Sequence, residues 1–69
     1  MKPYLVRIFE FRTNDILESY IVDAENEEEA IDIAQPHFVG VGYLDTPRGW
    51  EIEENEIPNY LDEGVEDLR

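Results

Sequence analysis

Cysteine is absent from this 69-residue chain. Neither a disulfide framework nor a thiolate-ligated zinc site can therefore stabilise it, and the absence fits a reducing compartment. Cations are scarce: five Lys and Arg stand against 18 Asp and Glu, giving a formal net charge of -13 and a pI near 4.1. Proteins bind duplex nucleic acid by neutralising phosphates with lysine and arginine. Arg7, Arg12 and Arg48 are too few for that, so direct nucleic-acid binding is not expected. No apolar run is long enough for a signal peptide or a membrane span, which makes a cytoplasmic protein the expectation.

Catalytic material is equally thin. His37 is the only histidine and Ser19 the only serine. His37 sits between Pro36 and Phe38, where a capping or packing role outweighs acid-base work. Ser19 lies at a strand start with no histidine in a recognisable motif, and no glycine-rich phosphate loop exists. Carboxylate pairs of the kind used in glycoside hydrolysis can always be found among so many acids, so they carry little information. A chain this short is not expected to hold a cleft of roughly 300 Å3 or more. The acid runs lack the alternating ligands, central glycine and distal glutamate of an EF-hand loop, so no dedicated metal site is expected. A non-enzyme with no catalytic residue and no cofactor follows.

What is present is enough for a small core. The apolar fraction is 42% and eight aromatic residues are spread along the chain, which argues against disorder despite the charge. One domain fits, with a stability of about 3–10 kcal/mol at the usual per-residue range. Self-repulsion works against that stability.

The pattern predicts α+β architecture. Residues 4–11 read as a strand with Pro3 at its start, Arg12 to Asp15 as a turn, and residues 18–24 as a second strand with Tyr20, Val22 and Ala24 on one face. Asn26 should cap a helix, with Glu29 three residues on in capping-box position. Ala30, Ile33 and Ala34 make its apolar stripe, with Ile31 at the margin, and Pro36 ends or kinks it near Gln35. Residues 39–45 and 50–54 are further strand candidates around a turn at residues 46–49. The resulting order is β-β-α-β-β, a small antiparallel sheet covered on one face by a single short helix. Domain organisation is then residues 1–57 as one α+β domain and residues 58–69 as an acidic C-terminal tail, either docked as a short helix or partly frayed.

If Tyr4, Val6, Ile8, Tyr20, Val22, Trp50 and Ile52 face the helix, then Leu5, Arg7, Phe9, Phe11 and Ile21 face away. A solvent face is normally polar. Leu5, Phe9, Phe11 and Ile21 therefore need a cover: the tail, a second copy in a homodimer, or a partner protein.

The acids fall in three groups. Glu27, Glu28 and Glu29 are accounted for by the positive end of the helix dipole. Asp32 is not, because it lies i+4 from Glu28 and repels it. Glu51, Glu53, Glu54 and Glu56 lie on or after the last strand, where glutamate is depleted. Asp62, Glu63, Glu66 and Asp67 fill the tail. With almost no interspersed lysine, the three groups exceed what solubility requires. Glu28, Asp32, Glu51, Glu53, Glu54 and Glu56 are thus the candidate contacts for a basic partner.

The segment Tyr20-Ile21-Val22-Asp23-Ala24-Glu25-Asn26-Glu27-Glu28-Glu29-Ala30, after the strand at residues 4–10, resembles the DpnD/PcfM-like domain. There a strand ending in Val-x-Ala leads to a capped helix containing Glu-Glu-Ala. Small anti-CRISPR proteins are similar in their strand-strand-helix-strand order. The resemblance covers residues 4–54 and implies a phage or plasmid setting, with host cytoplasm as the compartment. No site residue transfers with it.

The leading expectation is an acidic inhibitor that mimics nucleic acid and blocks a basic, nucleic-acid-handling host protein. DNA carries one charge per 3.4 Å of rise on each strand. Carboxylates about 5–7 Å apart on helix and strand imitate it coarsely. The alternative is an accessory domain of DpnD/PcfM type that self-associates through Leu5, Phe9, Phe11 and Ile21, with charge serving only solubility.

Overall fold

A hairpin of two long strands organises the chain. In the computed structural model, which describes residues 1–39 and 46–69, β1 (Lys2–Phe9) pairs antiparallel with β2 (Ile16–Ala24). Alternation in both strands places Tyr4, Val6, Ile8, Tyr20, Val22 and Ala24 on one face, where they form a buried cluster.

The reversal is built around Glu10. Its carboxylate accepts hydrogen bonds from the Arg12 and Thr13 backbone N–H groups at 2.8 and 2.7 Å. The turn closes through Glu10 N–H to the Asp15 carbonyl at 2.8 Å and Asn14 N–H to the Glu10 carbonyl at 2.9 Å. Asn14 takes the left-handed conformation, φ 61°, which asparagine tolerates better than most residues. Beyond Ile8–Glu18 the register shifts so that Phe9 faces Ile16. This bulge leaves Leu17 as the extra residue and turns Ile16 onto the Leu5–Arg7–Phe9 side of the sheet.

Helix α1 (Glu27–Ala34) covers the first face. The Asn26 side chain accepts from Glu29 N–H at 2.9 Å, which is the N-cap half of the expected capping box. A 3-10 turn, Gln35–His37, carries Pro36 at its start and ends the helix where expected. Ala30 and Ala34 are buried against the sheet, with Ile31 and Phe38 packed beside them. Ile33, expected in that stripe, is 38% exposed, and Ile31 takes its place. Gly49 lets the helix close down: a Cβ there would lie 3.3 Å from Glu27 Cγ.

The third strand differs most from expectation. β3 is Arg48–Glu51, so Arg48 and Gly49 belong to a strand rather than to a turn, and Glu53 and Glu54 lie beyond it. The expected strand at residues 39–45 falls on residues 40–45, outside the described residues, apart from Val39, which is in no strand. β3 pairs antiparallel with β1 in a register that sets Trp50 opposite Leu5 and Gly49 opposite Val6. Directly opposed residues share a face. Trp50 therefore faces away from α1, is 44% exposed, and is not the buried partner of Ala30, Ile33 and Ala34. Ile52 likewise packs on the far face.

That far face is covered by the C-terminal segment. After a 3-10 turn (Glu54–Glu56), α2 (Ile57–Asp62) crosses it, and Ile52, Ile57 and Val65 bury Leu5 and Ile21, with Tyr60 alongside. Gly64, at φ 94°, ends α2. Its N–H bonds the Leu61 carbonyl and the Val65 N–H bonds Tyr60, the paired pattern of a Schellman stop. The chain then runs parallel to β2 as β4 (Glu66–Asp67), and Leu68 N–H donates to the Ile21 carbonyl at 2.9 Å. The sheet is thus mixed, not purely antiparallel, in the order β3-β1-β2-β4. It carries one short helix on each face. Its radius of gyration, 11.4 Å, is close to the ~11 Å expected for a compact domain of this length.

Candidate functional site

Most of the acids expected to meet a partner have structural work inside the chain. Glu51 pairs with Lys2 Nζ at 3.4 Å. Glu53 and Glu56 form a capping box: Glu53 N–H donates to Glu56 Oε1 at 2.9 Å, and the Glu53 side chain accepts from the Glu56 backbone. A cap of this kind explains two glutamates that strand propensity leaves unexplained. Glu51 and Glu53 do not form the same-face strand pair the sequence suggests, because β3 ends at Glu51. Glu54 accepts from Arg69 Nη1 at 3.1 Å. The same guanidinium bonds Asp67 at 3.2 Å and reaches Asp23 at 3.9 Å. Arg69 therefore fastens the chain's last residues to β2 and to the turn before α2. Its hydrogen bonds hold the Asp67 carboxyl below the usual carboxylate range.

Glu28 and Asp32 are different. Both are exposed on the outward side of α1, one helical turn apart, and no ion pair among the described residues reaches either. Glu27 and Glu29 share the first turn with Glu28, where the helix dipole favours them. The sequence reading sets the six candidate acids on two elements, the helix and the last strand, and the fold divides them further. Glu28 and Asp32 stand on α1, Glu51 at the end of β3, and Glu53, Glu54 and Glu56 in the turn before α2.

The candidate apolar face divides as well. Leu5 and Ile21 are 4% and 0% exposed beneath the C-terminal segment, while Phe9 is half-buried and Phe11 is 64% exposed. Beside the covered half an open groove of about 370 Å3 remains, lined by Leu5, Arg7, Phe9, Ile16, Trp50, Ile52 and Tyr60 with Glu51 and Glu56 at its rim. A cleft of this size was not expected from so short a chain. A second hollow of about 350 Å3 lies on the other face between β2 and the end of α1, with Glu18, Tyr20, His37, Phe38 and Glu66 around it. Burial, reinforced by the charges of Glu18 and Glu66, pushes the Tyr20 phenol above its ordinary range. His37 lies 6.4 Å from the Tyr20 ring, centroid to centroid.

Sequence reasoning placed the turn but missed the part Glu10 plays in it, and it missed the Glu53–Glu56 cap, the Arg69 clasp and the groove. The cap alone had a local signal, an acid three residues before another acid and then Ile57-Pro58. The groove had none, because it depends on the register that pairs Leu5 with Trp50.

Among the described residues no group of three or more His, Asp or Glu side chains is placed to hold a metal ion. No helix among them is long and apolar enough to cross a membrane. Comparison with known family models, curated proteins and solved structures finds no match. The resemblance of residues 4–54 to the DpnD/PcfM-like domain therefore rests on the sequence pattern alone.

Proposed function

We propose that this is a small non-enzymatic binding protein whose carboxylates engage a basic, nucleic-acid-handling protein in place of phosphates and block it. Phage-encoded inhibitors of the anti-CRISPR and anti-restriction types work in this way. The observation that carries the reading is the Glu28–Asp32 pair. Like charges at i, i+4 destabilise a helix by a few tenths of a kcal/mol. Here they stand exposed with no cation among the described residues brought to them, although Arg69 alone serves three other acids. Their rise along the helix, ~6 Å, approximates two phosphate steps on one DNA strand.

A pull-down from a bacterial host lysate on the immobilised protein tests the reading. The bound protein should be basic, should elute as salt rises from roughly 50 to 500 mM, and should be displaced by duplex DNA. Retention that is indifferent to both salt and DNA would refute it.

A second reading, self-association with the charge serving only solubility, draws support from Phe11, Ile16 and Trp50, which are 64%, 49% and 44% exposed. Leu5 and Ile21, two of the four residues expected to carry such an interface, are already covered. Sedimentation separates the readings, since a dimer through this face would persist at high salt.

A further inference from the structure

We infer that the groove beside β3 is a binding site for a small organic anion with a flat aromatic body. The register sets Arg7 directly opposite Arg48 across the β1–β3 pair. Like charges in that position repel. Two of the five basic residues are thus placed together in a chain with 18 acids available to separate them. Arg48 lies over the Phe9 ring at 5.9 Å, within cation–π range. Arg7 is half-buried and lines the groove, and among the described residues it makes no hydrogen bond or ion pair.

The two carboxylates that line the groove beside it, Glu51 and Glu56, make no ion pair with Arg7 among the described residues. Glu51 is taken by Lys2 at 3.4 Å, and Glu56 accepts from Glu53 N–H at 2.9 Å. The remaining walls are aromatic or aliphatic, chiefly Phe9, Ile16, Trp50 and Tyr60. At about 370 Å3 the space suits a small molecule, whose sites begin near roughly 300 Å3. A carboxylate or sulfonate matches the planar fork of Arg7, while an aromatic body fills the space against Trp50 and Phe9. A cationic ligand would meet the Arg7 guanidinium, and a neutral one would leave it unpaired. A second copy of the chain would bring another -13 charges to the contact.

The groove lies on the sheet face opposite α1, so this inference is independent of the carboxylate reading. The test is a titration of the 15N-labelled full chain at ~0.15 M salt, where the Debye length of about 8 Å confines distant charges. The probes are naphthalene-2-carboxylate and its neutral isostere 2-naphthamide. The carboxylate should shift the Trp50 indole N–H and the Phe9 and Ile16 amides, and bind about tenfold or more tighter than the amide, as expected for a hydrogen bond to a charged group. Arg7→Gln should bring the two probes within about twofold of each other, while Arg7→Lys, which keeps the charge and loses the planar fork, keeps part of the preference. If Arg7→Gln fails to fold, the wild-type ratio and Arg7→Lys decide. Equal binding of both probes by the wild type, no shift at Trp50 at millimolar probe, or a dimer that buries Trp50 in sedimentation would each overturn the inference. It contains no protein partner, so its failure leaves the capture experiment untouched.

Discussion

Truncating Ile57 to alanine asks whether the C-terminal segment is part of the core or a loose cover. Ile57 is 4% exposed and packs with Leu5, Ile21, Ile52 and Val65. Removing a buried isoleucine side chain costs about 2–5 kcal/mol, through lost transfer free energy and the cavity left behind. The whole domain has about 3–10 kcal/mol to lose. Trp50 is larger but 44% exposed on the wall of an open groove. Trp50→Ala forfeits only part of a full burial and leaves no closed cavity, so it should cost about 1–2 kcal/mol. In urea unfolding with a slope of ~1 kcal/mol/M, the midpoint should fall by roughly 2–5 M for Ile57→Ala and roughly 1–2 M for Trp50→Ala. Because the first variant approaches the full stability, Ile57→Val, at about 0.5–1.5 kcal/mol, supplies a folded point on the same scale. A greater loss from Trp50→Ala than from Ile57→Ala would refute the assignment of faces, returning Trp50 to the helix side.

Four further outcomes follow from single sites. Asn26→Ala removes the acceptor for Glu29 N–H and should lower stability by about 0.5–2 kcal/mol in chemical denaturation, with α1 fraying first in amide exchange. Gly64→Ala meets open space but φ 94°. It should destabilise by about 1 kcal/mol through backbone strain alone, and an unchanged denaturation midpoint would contradict the Schellman stop. Stability should fall as pH drops below 4.5, since hydrogen bonds from Thr13 and Arg12 hold Glu10 below that ordinary value. At the other end Tyr20 is raised above 10.0, so the unfolded chain ionises first and stability should decline as pH climbs through 10. Thermal melts at fixed ionic strength follow both limbs.

What could be read from the sequence was local. Asn26 with Glu29 marks a helix start, Pro36 marks its end, and Arg12 to Asp15 mark a reversal, because each acts through its own backbone neighbours. The alternation of Tyr4, Val6 and Ile8 against Leu5, Arg7 and Phe9 survived for the same reason. Trp50 and Ile52 were misplaced because a strand of four residues carries too short a pattern to fix its face; the register against β1 decides it. The parallel β4 and the Arg69 clasp join residues far apart in sequence, 15 positions in the case of Glu54 and Arg69, and no local propensity encodes them. For the candidate acids, sequence separated those with a dipole role from those without. It did not separate Glu53 and Glu56, bound up in a cap, from Glu28 and Asp32, which no ion pair among the described residues engages.

The central claim is that Glu28 and Asp32 hold a basic partner, and the double variant Glu28→Gln, Asp32→Asn tests it most directly. It preserves shape, removes the i, i+4 repulsion and gives up one dipole interaction of similar size, so the urea midpoint should be nearly unchanged. Surface binding to the protein captured from lysate, at two ionic strengths, is the measurement. The account predicts weaker binding in the variant, chiefly through slower association, with a flatter salt dependence than the wild type. The same affinity and the same salt slope in both proteins would contradict it, and would leave the carboxylates of α1 with no role beyond solubility.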